Sequence, residues 1–376
     1  MLVSSLTIRD VRNLETATLV PAPRFNVFIG DNGQGKTNLL EALYVACALR
    51  SFRTSRLAEV IRLGATEAHI AATIQRADMA QTLSVGIRER SKLVRLDGKA
   101  VRPLSRYFGS FNAVLFAPED LQLPRGSPGG RRRFVDRSVF ALIPEYLADA
   151  QRFDRVLRSR NALLRDGKAG AVRAELLEVY DRQLAAHGAR IACRRAEFLA
   201  ALGPRFETAY ARITRAGMRA ELRYEPAFSV AGKAVCETSE AELTTELAAR
   251  LVDGRARDLA RGATGVGPHR DDVGFWLDGQ PAQRYASQGQ LRALVLAWKT
   301  SEIELLKEAH GEAPVFLLDD VSSELDAARN AYLFDFLAAS ESQCFITTTH
   351  PRHVLLRADR VNFEVRSGCV SSLNAA

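Results

Sequence analysis

Apolar and polar positions alternate in three registers along this chain. Residues 2–8 (LVSSLTI) and 17–20 read as two strands of a small sheet, and further strand-like runs fall at 68–74, 83–87 and 93–96. Asp97-Gly98 is a hairpin turn signal, so these runs predict an antiparallel sheet. Short, largely apolar runs at 26–29, 113–116, 315–318 and 344–348 predict buried strands. Helical spacing takes over at 38–44, 291–306 and 327–339, which gives the strand and helix alternation of an α/β sheet. From about Arg131 to Thr214 the sequence favours helix throughout, with Leu177, Leu184, Ile191 and Phe198 recurring at heptad spacing. The companion positions Tyr180, His187, Arg194 and Ala201 are half polar, which predicts a compact helical arm and not a long coiled coil. Strand-like sequence returns at 219–224 and 268–277.

The turn formers of residues 124–130 (PRGSPGG) mark a junction before the helical stretch. A chain of 376 residues exceeds the usual size of one hydrophobic core. The expected organisation is a discontinuous α/β domain, residues 1–124 and 262–376, interrupted by a mainly helical lobe at 125–261.

Residues 30–37 read GDNGQGKT, an uninterrupted GxxxxGK[ST] loop between a buried strand and a helix. Its glycines allow backbone amides to curl round phosphates, Lys36 would neutralise the β and γ oxygens, and the Thr37 hydroxyl is placed to ligate Mg2+. The expected nucleotide contacts run through Gly30, Asp31, Asn32, Gly33, Gln34, Gly35, Lys36, Thr37 and Asn38. The apolar strand at 315–318 ends in Asp319 and Asp320, the pattern of a Walker B segment. Asp319 would hold the Mg2+ shell and Asp320 would act as general base toward an attacking water.

Ala286-Ser287-Gln288-Gly289-Gln290 precedes these acids, Ser322-Ser323-Glu324-Leu325-Asp326 follows them, and Thr349-His350 comes after the next strand. Each segment could serve as an ordinary helix cap or surface turn. In this order they resemble the signature motif, D-loop and switch histidine of ABC-type ATPases. The resemblance implies an ABC-type ATPase head, a phosphate-loop α/β core with a flanking antiparallel sheet, carrying an inserted helical lobe. Ser287, Gln288, Gly289, Gln290 and Asp326 would then complete an ATP site on a second copy of the chain, with His350 and Lys36 beside Asp320 in catalysis. The ABC Q-loop glutamine is missing, and Glu119 stands in that place as a candidate Mg2+ or water contact.

Within that superfamily the chain is similar to the RecF family of bacterial recombination mediators. The likeness rests on Pro118-Glu119, Gly126-Ser127-Pro128 with Arg131-Arg132 and Phe134-Val135-Asp136, the GPHRDD segment at 267–272, and residues 317–333. Pro124 departs from the family's aliphatic residue. The resemblance implies an ATP-dependent DNA binder, dimeric with ATP and slow in hydrolysis, that acts with RecR and RecO at single-strand gaps to help load RecA. A nucleotide-gated SMC-like scaffold with negligible turnover is the alternative; a transporter subunit fits poorly without the Q-loop.

Basic residues exceed acidic ones by eight, with a pI near 9.4, which favours a polyanionic partner. Arg53, Arg56, Arg131, Arg132 and Arg133 are the first candidates for DNA contact, followed by Arg152, Arg155, Arg190, Arg194 and Arg195 on the arm. No stacking platform interleaves them with aromatics, so duplex backbone is the expected target. Five cysteines without a CxxC pair, and the lack of a secretory or membrane-length apolar run, lead us to expect a cytoplasmic protein, and the resemblance implies association with the nucleoid.

Overall fold

The computed structural model describes residues 1–76, 79–102, 104–167, 173–215 and 217–373. They form two compact units, Met1–Leu121 with Lys299–Ala376, and Gln122–Trp298.

The first unit begins with a hairpin of β1 (Leu2–Val11) and β2 (Leu14–Leu19), followed by β3 (Phe25–Ile29) and helix α1 (Lys36–Ala48). After it come β4 (Glu67–Arg76), β5 (Met79–Arg88), β6 (Lys92–Leu96) and the two-residue β7 (Lys99–Ala100). These join the hairpin in an antiparallel sheet of order β2-β1-β4-β5-β6-β7. The expected alternation is present: in β4, Ala68, Ile70, Ala72 and Ile74 are buried, and the residues between them are not. Asp97 and Gly98 both take positive φ, as a tight hairpin turn requires. β8 (Ala113–Phe116) then enters a second sheet.

In the second unit, α2 (Pro128–Leu142) starts where Ser127 accepts the Gly130 amide at 3.2 Å, with Pro128 in the first turn. α3 (Tyr146–Asp166) and the 41-residue α4 (Ala174–Thr214) follow, then β9 (Ala220–Glu225), α5 (Glu240–Asp253) and α6 (Arg255–Arg261). The heptad residues Leu177, Leu184, Ile191 and Phe198 are all buried as α4 packs on α3 and α5. β10 (Asp272–Leu277) pairs antiparallel with β9 and with β11 (Gln280–Pro281), and α7 (Ala282–Tyr285) leads to α8 (Gln288–His310). Trp298 of α8, fully buried, lies against Phe134, Phe198 and Phe275 at ring distances of 5.0, 5.9 and 5.8 Å.

The return to the first unit comes at Lys299, later than the expected residue 262. The reason is local. β10 is paired along its length to β9, and Asp271 before it and Asp272 at its start are held by arginines of α4 and α2. Arg131 grips Asp272 through two bonds of 2.8 and 2.6 Å, and Arg195, 5% exposed, bonds Asp136 at 2.8 Å and Asp271 at 3.1 Å. A second buried cluster surrounds Arg160, which donates to Asp181 and Asp258 at 2.7 Å each and to Thr264 at 2.9 Å.

Back in the first unit, β12 (Val315–Asp319), α9 (Ala327–Ala339), β13 (Cys344–Thr348), β14 (Arg360–Arg366) and β15 (Cys369–Ser372) complete the second sheet, order β15-β14-β3-β13-β12-β8. Its four pairings from β14 to β8 are parallel, so the carboxyl ends of β3, β13, β12 and β8 share one edge, where α/β sheets bind ligands. α1 touches strands of both sheets and is apolar nearly all round, as a helix buried on every side must be. No described helix is long and apolar enough to cross a membrane.

Both tryptophans, Trp276 and Trp298, lie in the second unit, so tryptophan fluorescence reads its unfolding. Arg160→Ala leaves buried Asp181 and Asp258 short of a partner and should cost about 3–5 kcal/mol in urea titration. A shift below about 1 kcal/mol would mean that the cluster is not a support of this unit.

Candidate nucleotide-binding site

The loop at residues 30–37 owes its path to close approaches that only glycine permits. A Cβ on Gly30 would lie 2.2 Å from the Val365 carbonyl oxygen of β14, and one on Gly35, at φ 117°, would lie 2.7 Å from Asn13 Oδ1. The loop is braced from two sides. Asn13 Nδ2, in the β1–β2 turn, donates to the Gln34 carbonyl at 3.0 Å, and so does the Gly368 amide at 2.9 Å. The Ser367 amide bonds Gln34 Oε1 at 2.6 Å. Gln34 therefore acts as the loop's tether to the β14–β15 turn. Lys36, 6% exposed, folds its Nζ back onto the carbonyls of Gly30 at 2.6 Å and Asp31 at 2.9 Å. Burial pushes its pKa below the ordinary lysine value, against the pull of Asp320, Asp319 and Asp31. Asn32 and Gly33 form the exposed crown of the loop.

Thr37 and the acid pair meet at the strand ends. Asp319, buried at the end of β12, accepts the Thr37 hydroxyl at 2.9 Å and the Thr347 hydroxyl of β13 at 2.8 Å, both on Oδ1. Burial raises its pKa, the two hydroxyls oppose this, and the negative charges of Glu119 and Asp320 add to the rise. Asp320 takes a left-handed conformation, φ 48°, held by its amide on Thr347 Oγ1 at 3.0 Å. Its Oδ1 is buried and without a partner. Burial pushes this carboxyl up as well, against the attraction of Lys36. Glu119 sits exposed on the turn after β8, near enough to Asp319 to act on its charge. The neighbouring Asp120 has a local task, accepting the Ala117 amide at 3.2 Å.

His350 follows β13 and is exposed; its amide bonds Thr348 Oγ1 at 3.2 Å. Its ring meets that of His353 edge-on at 5.6 Å, and His353 acts electrostatically on Asp320. The D-loop cap is Asp326, which accepts the Arg329 amide at 3.0 Å at the start of α9. Ser323 instead donates to the Asp320 carbonyl at 2.7 Å, and Ser322 is buried with its hydroxyl unpartnered.

The signature-like segment lies in the second unit. Ser287 caps α8: the Gln290 amide donates to Ser287 Oγ at 3.2 Å and the Ser287 amide to Gln290 Oε1 at 2.7 Å, a reciprocal box. Arg125 bonds the Ala286 carbonyl at 2.6 Å. Gln288 is exposed and Gly289 half-buried in the first turn.

Several expectations for DNA contact are corrected by burial. Arg131 and Arg195 are each 5% exposed and committed to Asp272, or to Asp136 and Asp271, so neither offers a surface charge. Arg132 bonds the Asp271 carbonyl, Arg190 bridges Asp149 and Glu240, and Arg194 pairs with Glu197. Arg133, Arg152 and Arg155 are exposed, and Arg56 is exposed with only a 3.8 Å contact to Glu59. Arg53 belongs to the nucleotide end: its Nη1 donates to Asn38 at 2.7 Å and to Glu41 at 3.3 Å.

Glu41 and Asn13 are supports that pattern reading passes over. Glu41 is fully buried in α1 and held by Arg12 through bonds of 3.0 and 2.9 Å. Burial raises its pKa, yet the hydrogen bonds from Arg12 and Ser51 outweigh that and leave it below the ordinary carboxylate value. The available signal was one acid in an otherwise apolar helix.

The family model of the RecF/RecN/SMC N terminal domain matches residues 2–369. The DNA replication and repair protein RecF of Anaeromyxobacter sp. (strain Fw109-5) is 44% identical over 99% of this chain and 100% of its own length. That of Geobacter sulfurreducens is 38% identical over 99% and 100%. The solved structure of the recombination mediator RecF with ATP, from the RecFOR pathway, superimposes with a TM-score of 0.89 at 31% identity, covering 99% of this chain and 97% of that one. An Smc head bound to the C-winged helix domain of ScpA shares the fold, at a TM-score of 0.53 and 14% identity over 99% of this chain and 98% of that one. A phosphate loop locked to a Walker B strand, in a chain matched end to end by these relatives, makes this protein a member of the RecF family of DNA replication and repair proteins.

Proposed function

We propose that the chain is an ATP-dependent DNA-binding protein of recombinational repair and replication restart, which closes as a dimer on DNA with ATP and is released by slow hydrolysis. The observation that carries this reading is the convergence of Lys36, Thr37, Asp319 and Asp320 at one sheet edge, while Ser287 opens a helix in the other compact unit. The similar RecF solved with ATP supports the choice of nucleotide.

The residues fit ATP with Mg2+. Close approaches at Gly30 and Gly35 shape a backbone loop suited to phosphate, and the adjoining oxygens of Thr37 and Asp319 are hard donors of the kind Mg2+ takes. Bound there, Mg2+ would neutralise charge on the β and γ oxygens. Lys36 would exchange its two carbonyl partners for phosphate oxygens. Asp320, with a raised pKa and a free Oδ1, would accept a proton from the attacking water, with His350 proposed to assist it and Glu119, which acts on the charge of Asp319, proposed as a further Mg2+ or water contact. The first-turn amides of α8, at Gln288 and Gly289, have no acceptor within their helix and would cap the γ-phosphate held by a second copy. Gln290 and Asp326 would set the geometry of their helix starts, since their side chains are already engaged as caps. Arg56, Arg133, Arg152 and Arg155 are the side chains proposed to meet DNA phosphates. RecR and RecO are the proposed partners, with RecA loading at gaps as the outcome; the RecFOR setting of the similar structures supports the first two.

Three variants test the scheme. Lys36→Ala should weaken ATP binding by roughly 10- to 100-fold, read by titration calorimetry. Ser287→Arg should bind ATP with wild-type affinity and stay monomeric on size exclusion; a normal ATP-dependent dimer in that protein sinks the shared-site mechanism. Asp320→Asn should lower ATP turnover by about 10²- to 10⁴-fold and lengthen the lifetime of the ATP complex on DNA. Unchanged hydrolysis would remove Asp320 as the base.

A further inference from the structure

Among the large hydrophobic side chains that stand exposed on the described residues, Tyr285 is the one aromatic, at 68% exposure. It has no hydrogen bond, ion pair or ring contact among the described residues. Its position is what matters: it closes α7, two residues before Ser287. The backbone on both sides of it is fixed. Ala282 and Ala286 are 1% and 4% exposed, the Ala286 amide bonds the Ala282 carbonyl at 3.1 Å, and Arg125 holds the Ala286 carbonyl at 2.6 Å. Arg284 beside it is also exposed and unpaired. A tyrosine on an immobile turn, next to a free arginine, has the composition and the low ordering cost of an interface hot spot.

We infer that Tyr285 is the apolar anchor of the ATP-dependent dimer, covered by the surface of a second copy of this chain that surrounds the phosphate loop. The inference rests on the dimer proposed above. Gln288 and Gly289 follow three and four residues on, a span of at most about 14 Å, so a surface that takes their amides comes within reach of this ring. Burying it removes a large apolar surface from water at little cost in chain entropy. The phosphate contacts then give the closure its nucleotide dependence, and the ring gives it adhesion.

The test compares full-length wild type, Tyr285→Ala and Tyr285→Phe with ATP and Mg2+. Sedimentation velocity gives the dimer constant, and calorimetry below that constant gives ATP affinity of the monomer. Tyr285→Ala should weaken the ATP dimer by about 30-fold or more, with monomer ATP affinity and urea midpoint unchanged, and Tyr285→Phe should restore dimerisation to within a few-fold of wild type. A Tyr285→Ala dimer as tight as wild type overturns the anchor. So does a loss of ATP affinity in the Tyr285→Ala monomer, which would place the ring on nucleotide within its own chain. A wild type that never dimerises with ATP brings down the shared-site reading itself, and the anchor with it, so the two failures are told apart.

Discussion

The carboxylate of Asp319 is the constraint around which the nucleotide-binding unit is organised. A buried acid at a strand end must be given hydrogen bonds, and here one oxygen receives two hydroxyls from different elements, Thr37 of α1 and Thr347 of β13. Those two bonds fix the helix that follows the phosphate loop to the middle of the parallel sheet. Asp320 inherits its place from the same arrangement, because Thr347 also holds its amide in the left-handed conformation that turns the chain away from β12. Loop, metal-ligand candidates and proposed base are thus positioned by one hydroxyl-lined carboxylate, and Lys36 shares its electrostatic surroundings with both acids.

The arm lobe solves a different problem with the same chemistry. Its helices bury charge as well as leucine: Arg195 joins α4 to Asp136 of α2 and to Asp271 before β10, and Arg160 joins α3 to α4 and α6. Such pairs add little net stability compared with apolar packing, but they admit one register of the elements they connect. Through Arg131, Gly126 and Arg125 this framework reaches the Ala286 carbonyl, directly ahead of the α8 cap. The backbone before the signature-like helix is therefore held by charged contacts that no heptad pattern would suggest.

Strands and helices with strong periodicity were legible in the sequence almost to the residue, as with α9 at Ala327–Ala339 and β13 at Cys344–Thr348. The loop and the acid pair were legible too, since their chemistry imposes residue type and spacing together. What escaped was everything decided by partners distant along the chain. Arg131 and Arg195 look like any surface arginine until Asp272, Asp136 and Asp271 are brought beside them by folding. The return to the first unit was misplaced for the same reason, because β10 is paired along its length to β9, which precedes it by a long stretch of chain in the second unit. β14 and β15 gave no signal strong enough to notice, yet their turn is what holds Gln34.

That turn carries one more consequence. A methyl group at Gly30 would strike β14, and one at Gly368 would lie 2.1 Å from the Asn13 carbonyl oxygen. The loop is therefore wedged between a hairpin at one end of the chain and another at the opposite end, with no space for a side chain at either contact. The backbone of the loop is thus set when the protein folds, so a phosphate chain that binds there need spend little interaction energy on ordering it.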